Sequence, residues 1–503
     1  MGIKIGKIYR LTNRYVEIVF FEDVFSKPIS NQNRLDLAGM INTYVTIPLY
    51  NGQEAIGIIF EQLNGYEEND FFNRNPDRII SKVRIIGTYN PIKNNFKKGI
   101  DFYPTIETEV FTIDERRLDV IYNSSIDLNE PKLEIGTDIF FPTVSIYADP
   151  NVLFGKHLAV FGNTGSGKSC TVTSILQGIY NPIKNRLHNS GTNKLKTILI
   201  DSNDEYKNVF DGIDDVSIQK VDIESLELSH KDLKFFELTQ LLNETSPNVT
   251  PYLREAVVNL KGGQNVDTSV YYNFVDLPDA IRQAVRNNNA PNNVNFTLGF
   301  CSHLINRING FINDDRLKCI FSSRNNTIEE FLNSDKSILI LSLQVASDVL
   351  SIITYLICKS VYFHKVSNRD SESLLLILEE AHRYISNNGG DLINNFYVEK
   401  VAREGRKFGV NLLVSTQRPS EVSQTVISQC NSIIVHKITN SRDLEFIRNT
   451  IEYEDKNQID LLTSLKQQQA LVLGEAFSFS SLIRISDADP LPKSETPKIF
   501  NNE

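Results

Sequence analysis

The sequence predicts an α/β fold in which a largely parallel sheet is interrupted by a helical insert and preceded by a small N-terminal β-barrel. Three features support this prediction. The first part of the chain carries short β-rich runs separated by Gly, Pro, Asn and Asp, which is typical of a barrel or sandwich. The middle part has helical periodicity instead. Continuous apolar runs on both sides of that helical region are typical of strands buried on both faces of a parallel sheet.

Five segments follow from these changes of pattern. Turn-forming residues between Pro131 and Pro150 separate the β-rich part from the α/β part. The insert contains the Asn-rich run Asn287–Asn295, which we expect to be a surface loop joining helices. The polar, Pro-bearing tail is expected to lie along another element. The predicted segments are the barrel at 1–145, the first part of the core at 146–221, the insert at 222–333, the second part of the core at 334–489 and the tail at 490–503.

Composition and charge are those of a large globular protein. The 503 residues are 41% hydrophobic and 23% charged, which excludes a disordered chain and allows about two to four domains. A net charge of -10 argues against a protein that coats nucleic acid with its whole surface, although a basic channel remains possible. Five cysteines without a CxxC spacing are expected to be reduced. Because we recognise no export signal, lipidation signal or membrane span, we expect a cytoplasmic protein with no membrane partner.

A phosphate-binding loop follows the first strand expected in the core. The apolar run Leu158–Phe161 leads directly into GNTGSGKS, whose glycines allow backbone N–H groups to face phosphate oxygens. In this pattern the lysine reaches the β- and γ-phosphates, and the last hydroxyl binds Mg²⁺. The sequence therefore predicts ATP and Mg²⁺ as cofactors, and ATP is favoured over GTP because no NKxD motif is present. The predicted nucleotide-binding residues are Gly162, Asn163, Thr164, Gly165, Ser166, Gly167, Lys168, Ser169 and Cys170.

A second run delivers two acidic residues to the same edge of the sheet. Five apolar residues, Leu374–Leu378, are followed by Glu379 and Glu380. In such Walker-B-like elements the first carboxylate holds Mg²⁺ and the second polarises the attacking water. Glu379 stands where Asp is usual, and a glutamate can serve the metal shell because its side chain is one methylene longer. Asp201 also ends an apolar run, at an edge where ligands bind in such sheets. By itself, however, this pattern favours an acidic turn residue.

Two arginines and a glutamine surround the next strand. Arg403 and Arg406 are three residues apart, so on a helix they share a face, as arginines directed at a phosphate would. An ordinary solvated helix face is an equally open interpretation. After the strand come Thr416 and Gln417, polar residues that resemble a sensor of the γ-phosphate.

The order of these motifs resembles that of the HerA proteins, which are hexameric ATPases of the FtsK–HerA branch of RecA-like motors. The residues that carry the resemblance are GNTGSGKS, DSNDEY, a helical insert, LLLILEEAHRYI, VAREGRKFGVNLLVSTQRPSEVSQTVISQC and LVLGEAF. The resemblance covers nearly the whole chain. It implies a RecA-like P-loop ATPase core, a HerA-type barrel, a C-terminal brace, and a homohexameric ring with ATP between neighbours and double-stranded DNA in the pore.

The same resemblance implies roles for individual residues. Lys168 and Ser169 are expected to bind phosphate and metal, and Glu380 is expected to be the catalytic carboxylate. Arg406, with Arg403 second, is expected to stabilise charge during hydrolysis. Lys156 stands where relatives tend to carry an arginine that acts across the subunit interface, although lysine lacks the bidentate fork of arginine.

Several functions remain open at this stage. The leading one is an ATP-driven DNA translocase or helicase that works with a partner enzyme, either a NurA-like nuclease in DNA end resection or a sirtuin-like or nuclease effector in anti-phage defence. The Asn-rich composition favours defence. The alternatives are an ATP-dependent assembly scaffold and a secretion or conjugation ATPase. Loops at 386–390 and 420–424 are candidate pore loops. The scattered histidines suggest no metal-ligand array, and His382 is expected to be a packed residue.

Overall fold

Two β-sheets organise the part of the chain that the structure describes. The computed structural model describes residues 2–21, 39–64, 79–124, 126, 131–180, 195–213, 216–387, 393, 395–451 and 453–493. The first sheet consists of β1 (Lys4–Leu11), β2 (Val16–Phe20), β3 (Tyr44–Pro48), β4 (Glu54–Asn64), β5 (Ile79–Asn90), β6 (Asn95–Lys98) and β7 (Glu109–Thr112). The second consists of β8 (Leu133–Asp138), β9 (Ser145–Ala148), β10 (Leu158–Phe161), β11 (Leu195–Asp201), β12 (Ile218–Asp222), β13 (Ile338–Ser342), β14 (Ser373–Leu378), β15 (Val410–Thr416), β16 (Ser432–Val435), β17 (Gln469–Gly474) and β18 (Ser481–Ile485).

Helices cover the second sheet and build the insert. The α-helices are α1 (Glu115–Tyr122), α2 (Pro150–Gly155), α3 (Lys168–Tyr180), α4 (Phe235–Leu241), α5 (Thr250–Leu260), α6 (Leu277–Asn288), α7 (Pro291–Ile312), α8 (Lys318–Phe321), α9 (Thr327–Leu332), α10 (Ser347–Ser367), α11 (Phe396–Glu404), α12 (Gln424–Ile427) and α13 (Ser441–Thr450). Short 3-10 helices are His230–Asp232, Phe274–Asp276, Asp315–Leu317, Ala381–Arg383, Gly405–Phe408, Pro419–Glu421 and Tyr453–Ser464.

The N-terminal strands form a closed barrel, as the sequence predicts. The strand order is β2-β1-β7-β3-β4-β5, and pairing between β2 and β5 closes the six strands, while β6 extends from β5. The barrel interior is an apolar cluster that includes Ile8, Ile18, Val45 and Ile59. Alternating side chains along each strand provide this interior, and closure leaves no free edge among the six paired strands.

The boundary between the barrel and the core lies earlier than predicted. Strand β8 pairs with β18, for example Ile483 with Asp138, and β9 pairs with β8. Both strands therefore belong to the second sheet, and the predicted boundary at residue 145 falls inside that sheet. The physical reason is that the pairing partner of β8 lies almost 350 positions further along the chain, where local pattern gives no information about it.

The second sheet has the expected α/β arrangement. Its parallel part has the order β12-β13-β11-β14-β15-β10-β16, and the antiparallel strands β17, β18, β8 and β9 extend it on one side. In β14 the residues from Leu374 to Leu378 are all buried, because helices cover both faces of the parallel part. The prediction of an α/β fold with an N-terminal barrel is confirmed.

The insert lies between β12 and β13, and the secondary-structure elements within residues 223–337 are all helices. The expectation of a surface loop at Asn287–Asn295 is wrong, since α6 ends at Asn288 and α7 begins at Pro291. Proline suits the first turn of a helix. The second half of α7 buries Leu304 and Ile308, and this tertiary packing outweighs the low helix propensity of asparagine.

The described part of the C-terminal tail lies along α3. The backbone N–H of Asp489 donates to the Gln177 side chain, which in turn donates to the carbonyl of Pro490. Further on, the N–H of Lys493 donates to the carbonyl of Glu205. This agrees with the expectation that the tail lies along another element, and residues 494–503 are outside the described residues.

One described helix, α10, is long and apolar enough by length and composition to cross a membrane. In its most apolar window 78% of the residues are buried inside the protein. A buried core helix of a folded domain has the same composition.

Candidate active site

The phosphate-binding loop lies where β10 ends and α3 begins. Strand β10 runs between β15 and β16, with Phe161 opposite Thr416 on one side. After Phe161 the loop turns, and α3 starts at Lys168. The N-terminus of α3 and the loop N–H groups therefore face one point at the carboxyl edge of the parallel strands, which is the geometry that binds phosphate.

Two glycines of the loop are required by close contacts and backbone geometry. A Cβ atom on Gly162 would lie 2.5 Å from the Ser166 Oγ and 2.6 Å from the Cβ of His436. Gly167 has a φ of +117°, which side-chain-bearing residues rarely adopt. These contacts explain why the loop carries glycine at both positions.

A buried histidine, His436, connects the start of α3, directly after the phosphate-binding loop, to β17. The Nδ1–H of His436 donates to the carbonyl of Gln469 at 3.0 Å, and its Nε2 accepts from the Thr171 hydroxyl at 2.7 Å. Burial lowers the pKa of His436 to about 4, so the ring is neutral and can accept this hydrogen bond. Gln468 adds a second support because its N–H donates to the Ser166 carbonyl. Sequence reasoning missed both residues, although His436 directly follows an apolar strand that ends at the same sheet edge.

Glu380 faces the loop lysine. Its Oε1 lies 3.7 Å from the Nζ of Lys168, and both side chains are at most 10% exposed. Its Oε2 lies 3.3 Å from the Nδ1 of His382 and accepts from the N–H of Gln417 at 3.4 Å. Burial raises the pKa of Glu380, but the hydrogen bond from His382 and the charge of Lys168 outweigh this effect and hold the pKa below its usual value. Glu380 is therefore ionised at neutral pH.

Glu379 has a different environment from its neighbour. It is 1% exposed, and burial, followed by the charge of Glu380, raises the pKa of Glu379 to about 8. Its Oε2 and the hydroxyl of Tyr206 have no hydrogen-bond partner among the described residues. A cation near this carboxylate would favour the ionised form. Among the described residues, no group of three or more His, Cys, Asp or Glu side chains could hold a metal ion by itself.

The residues after β15 link the loop to the glutamate. The Thr164 hydroxyl donates to the Gln417 side chain at 2.6 Å, while the backbone N–H of Gln417 contacts Glu380. The structure thus brings the predicted sensor Gln417 to the predicted phosphate loop. Asp201 instead accepts hydrogen bonds from backbone N–H groups of residues 203, 205 and 206, which is the role of a turn residue.

Cys170 does not have the environment of a reactive thiol. It lies on the first turn of α3 and is partly exposed. Burial, and after it the negative charges of Glu205 and Asp487, raise the pKa of the Cys170 thiol. Reactive cysteines have lowered pKa values, so Cys170 belongs to the loop as a small residue.

The predicted arginines and Lys156 lie at the opposite edge of the sheet. Arg403 is near the end of α11 and Arg406 is in the 3-10 helix that precedes β15. Lys156 precedes β10 and forms an ion pair with Glu475. Because β10 and β15 are parallel, these three residues lie at the amino end of the strands, whereas Gln417 lies at the carboxyl end.

The described parts of the two candidate pore loops contact each other. The Asn387 side chain donates to the carbonyl of Ser420 at 2.9 Å and accepts from the N–H of Gln424 at 2.9 Å. Ser386 and Val422 also form an isolated β-bridge. Positions 388–390 are outside the described residues.

A glycine-lined loop at the end of β10, a lysine, and a buried glutamate at the end of β14, with β15 between the two strands, define the site of a P-loop ATPase. Residues 133–361 match the family model described as the central domain of the helicase HerA. The chain is a P-loop ATPase with a HerA-like central domain, as the sequence motifs indicate.

Known proteins resemble this chain over most of its length. A probable helicase of Methanocaldococcus jannaschii is 23% identical over 498 residues, covering 91% of this chain and 85% of the relative. The DNA double-strand break repair helicase HerA of Pyrococcus furiosus is 25% identical over 463 residues, covering 81% and 78%. Among solved structures, VirB4 of Thermoanaerobacter pseudethanolicus has a TM-score of 0.51 at 17% identity and covers 72% of this chain and 98% of its own, which shows a shared fold.

Proposed function

We propose that this ATPase is a subunit of a homohexameric ring that moves double-stranded DNA, with each ATP held between two subunits. One subunit would supply Lys168 and Glu380, and its neighbour would supply Arg406, assisted by Arg403. The supporting observation is the position of Arg406. Arg406 is exposed and makes no ion pair with a described residue. It precedes β15, whereas Gln417 follows that strand.

The length of β15 favours action of Arg406 on the nucleotide of a neighbouring subunit. Seven residues form this strand, so its two ends are about 20 Å apart. An arginine side chain is much shorter than this distance. An arginine supplied by a neighbour makes hydrolysis depend on assembly and contributes orders of magnitude to the rate. Hydrolysis can then pass from subunit to subunit, which a motor requires.

Magnesium fits the same site. Ser169, at the start of α3, and Glu379, with its unpartnered Oε2, are the residues we propose to hold it, together with the phosphates and water. The ion would neutralise charge on the phosphates. Lys168 would hold the phosphates and Glu380 would orient the attacking water.

Mixed rings test the shared site. Arg406→Ala and Glu380→Gln subunits should each be inactive alone but regain part of the ATPase activity when mixed, because some sites then combine an intact glutamate with an intact arginine. The matched control mixes Lys168→Ala with Glu380→Gln. Both changes damage the same edge of the sheet, so every site carries a defect and no activity should return. Absence of recovery in the first mixture would show that Arg406 acts within its own subunit or is structural.

Duplex DNA is the proposed substrate of the motor. The relatives named as helicases and the family model support this part of the proposal. Because the net charge is -10, contacts with DNA phosphates would be confined to a local channel. Duplex DNA should stimulate ATP hydrolysis, and binding should weaken steeply with salt. Equal ATPase rates with and without DNA would argue against translocation.

An effector partner is part of the proposal, with anti-phage defence as the leading pathway and DNA end resection as the alternative. This part rests on the family resemblance and composition. If the ring is instead an assembly scaffold, Glu380→Gln subunits, which bind ATP without hydrolysing it, should still activate the effector. Full loss of activation in that variant would favour the motor.

A further inference from the structure

Groups that can stabilise a carboxylate lie on two sides of Glu380. Its Oε1 faces the ammonium group of Lys168, whereas its Oε2 faces the ring of His382 and the backbone N–H of Gln417. Glu380 has a left-handed backbone, with φ +49° and ψ +46°. This sharp turn after β14 returns the short 3-10 helix Ala381–Arg383 toward the carboxylate, which is why His382, two residues later, reaches it.

Nucleotide binding is expected to draw Lys168 away from Glu380. The lysine of a P-loop binds the β- and γ-phosphates. Lys168 would therefore lose its contact with Glu380 when it binds the nucleotide. Oε1 is then open to a water molecule. The contacts on Oε2 do not depend on Lys168 and can remain in place. They hold the carboxylate in one orientation while its other oxygen accepts a hydrogen bond from water.

Two neighbours of Nδ1 indicate which nitrogen of His382 carries hydrogen. A carboxylate oxygen can only accept, so the Nδ1 atom, 3.3 Å from Oε2, approaches it favourably only when hydrogen is on Nδ1. The same Nδ1 lies 3.1 Å from the Thr416 hydroxyl at the end of β15. With its side chain 11% exposed, the ring is held between the glutamate and the end of β15, which leads into Gln417.

We propose that His382 is a positioning residue for ATP hydrolysis: its Nδ1–H fixes Oε2 of Glu380 so that Oε1 can orient the attacking water. This inference rests on the proposed catalytic role of Glu380. It gives His382 a function other than that of a packed residue. The residue would contribute to the rate of hydrolysis and little to nucleotide affinity, because it contacts the glutamate and not the phosphate loop.

Side-chain replacements that differ in donor position test this role in the full-length protein. His382→Ala removes the donor. His382→Asn places an amide N–H close to the position of Nδ1, whereas His382→Gln places it close to Nε2. His303→Ala is the matched control, because His303 is an exposed histidine on α7 of the insert. Steady-state ATP hydrolysis with Mg²⁺ gives kcat and KM, and binding of a non-hydrolysable ATP analogue gives the affinity.

We expect His382→Ala to lower kcat by about ten- to hundredfold, the usual value of a hydrogen bond to a charged group. KM and analogue affinity should stay within about twofold. His382→Asn should recover most of the rate and His382→Gln should not. An unchanged kcat in His382→Ala, or a loss of analogue binding that accounts for the lower rate, would overturn the proposal.

Two further comparisons separate the possible failures. If His382→Ala does not fold, the asparagine and glutamine variants decide, and equal activity of these two contradicts the proposal. Glu380→Gln is measured in parallel. Wild-type hydrolysis in Glu380→Gln would refute the catalytic assignment itself, whereas an inactive Glu380→Gln beside a fully active His382→Ala would refute only the role of His382.

Discussion

His157 joins the strand of the phosphate loop to the helix that carries Arg403. Its Nε2–H donates to the carbonyl of Ala402 at 2.9 Å, and its Nδ1 accepts from the N–H of Leu412 at 2.9 Å. The ring is completely buried. His157 directly precedes β10, and Ala402 is the residue before Arg403. A neutral imidazole therefore ties the position of the exposed arginine to the strand that leads into the nucleotide site.

Acid should destabilise this connection. Burial lowers the pKa of His157 to about 4; the Ala402 carbonyl opposes this shift and the charge of Arg406 adds to it. An unfolded histidine has a pKa of about 6.5. Between these values the unfolded chain binds more protons, so the contribution of His157 is fully present above about pH 6.5 and is lost as the pH falls toward about 4.

The variant His157→Asn tests this dependence, because asparagine tolerates the left-handed backbone at this position, φ +56°. The wild-type protein should lose up to about 1.4 kcal/mol of stability per pH unit more than the variant between pH values of about 6.5 and 4. Urea-unfolding midpoints measure the difference. Burial also lowers the pKa values of His230 and His436 to about 4. These two histidines contribute to the pH dependence of both proteins, so their effect cancels in the difference. Identical pH dependence would show that His157 is not buried and neutral.

Lys156 should affect turnover more than stability. Its ion pair with Glu475 is exposed, with side-chain exposures of 36% and 50%, and such pairs contribute about 0 to 1 kcal/mol. Lys156 lies at the same sheet edge as Arg406, so in a ring it would face the neighbour's nucleotide. We expect Lys156→Ala to lower the ATPase rate while its thermal midpoint stays close to that of wild type.

Glu475→Gln is the matched control for Lys156. It weakens the ion pair but keeps the lysine at the edge of the sheet, where Glu475 also accepts a hydrogen bond from Asn431. Its turnover should stay near the wild-type rate. If both variants lose turnover equally, the ion pair maintains local structure, and action of Lys156 across the interface is contradicted.

The parts of the site that were predictable from sequence lie within single local motifs. The loop before Lys168 and the apolar run before Glu380 each place a chemical group at a strand end, and parallel strands bring those ends together. The contacts missed by sequence analysis join distant segments. The spacing between His382 and Thr416, or between His436 and Thr171, gives no sign that these side chains touch.

The fold shows the same division between local and distant information. Helical periodicity in the insert does not determine which of two adjacent phenylalanines faces the core: Phe235 is buried, whereas Phe236 is 56% exposed. A shift of one position in the assignment of α4 corresponds to a rotation of about 100° about the helix axis. Such a shift assigns the wrong side chains to the core. The course of β8 into the second sheet was likewise not predictable, because strand pairing depends on partners that are remote in the sequence.

A buried ion pair between the insert and the core gives the last prediction. Glu237 on α4 is fully buried and pairs with Lys359 on α10, which is 5% exposed. The Tyr355 hydroxyl donates to the Oε1 of Glu237 at 2.8 Å, and Lys359 also donates to the carbonyl of Asp232. Removing one member of a buried pair leaves an uncompensated charge, which costs about 3 to 5 kcal/mol. We therefore expect Lys359→Met to destabilise the contact between α4 and α10 strongly.

A double variant distinguishes a lost ion pair from lost packing. Glu237→Gln removes the negative charge and keeps an acceptor for Tyr355. Combined with Lys359→Met, it should therefore cost less than Lys359→Met alone. Amide hydrogen exchange in α4 measures the local opening free energy of each protein. Additive effects of the two substitutions would mean that the charges are not coupled, whereas a double variant that is more protected than Lys359→Met shows that the ion pair fixes the insert on the ATPase core.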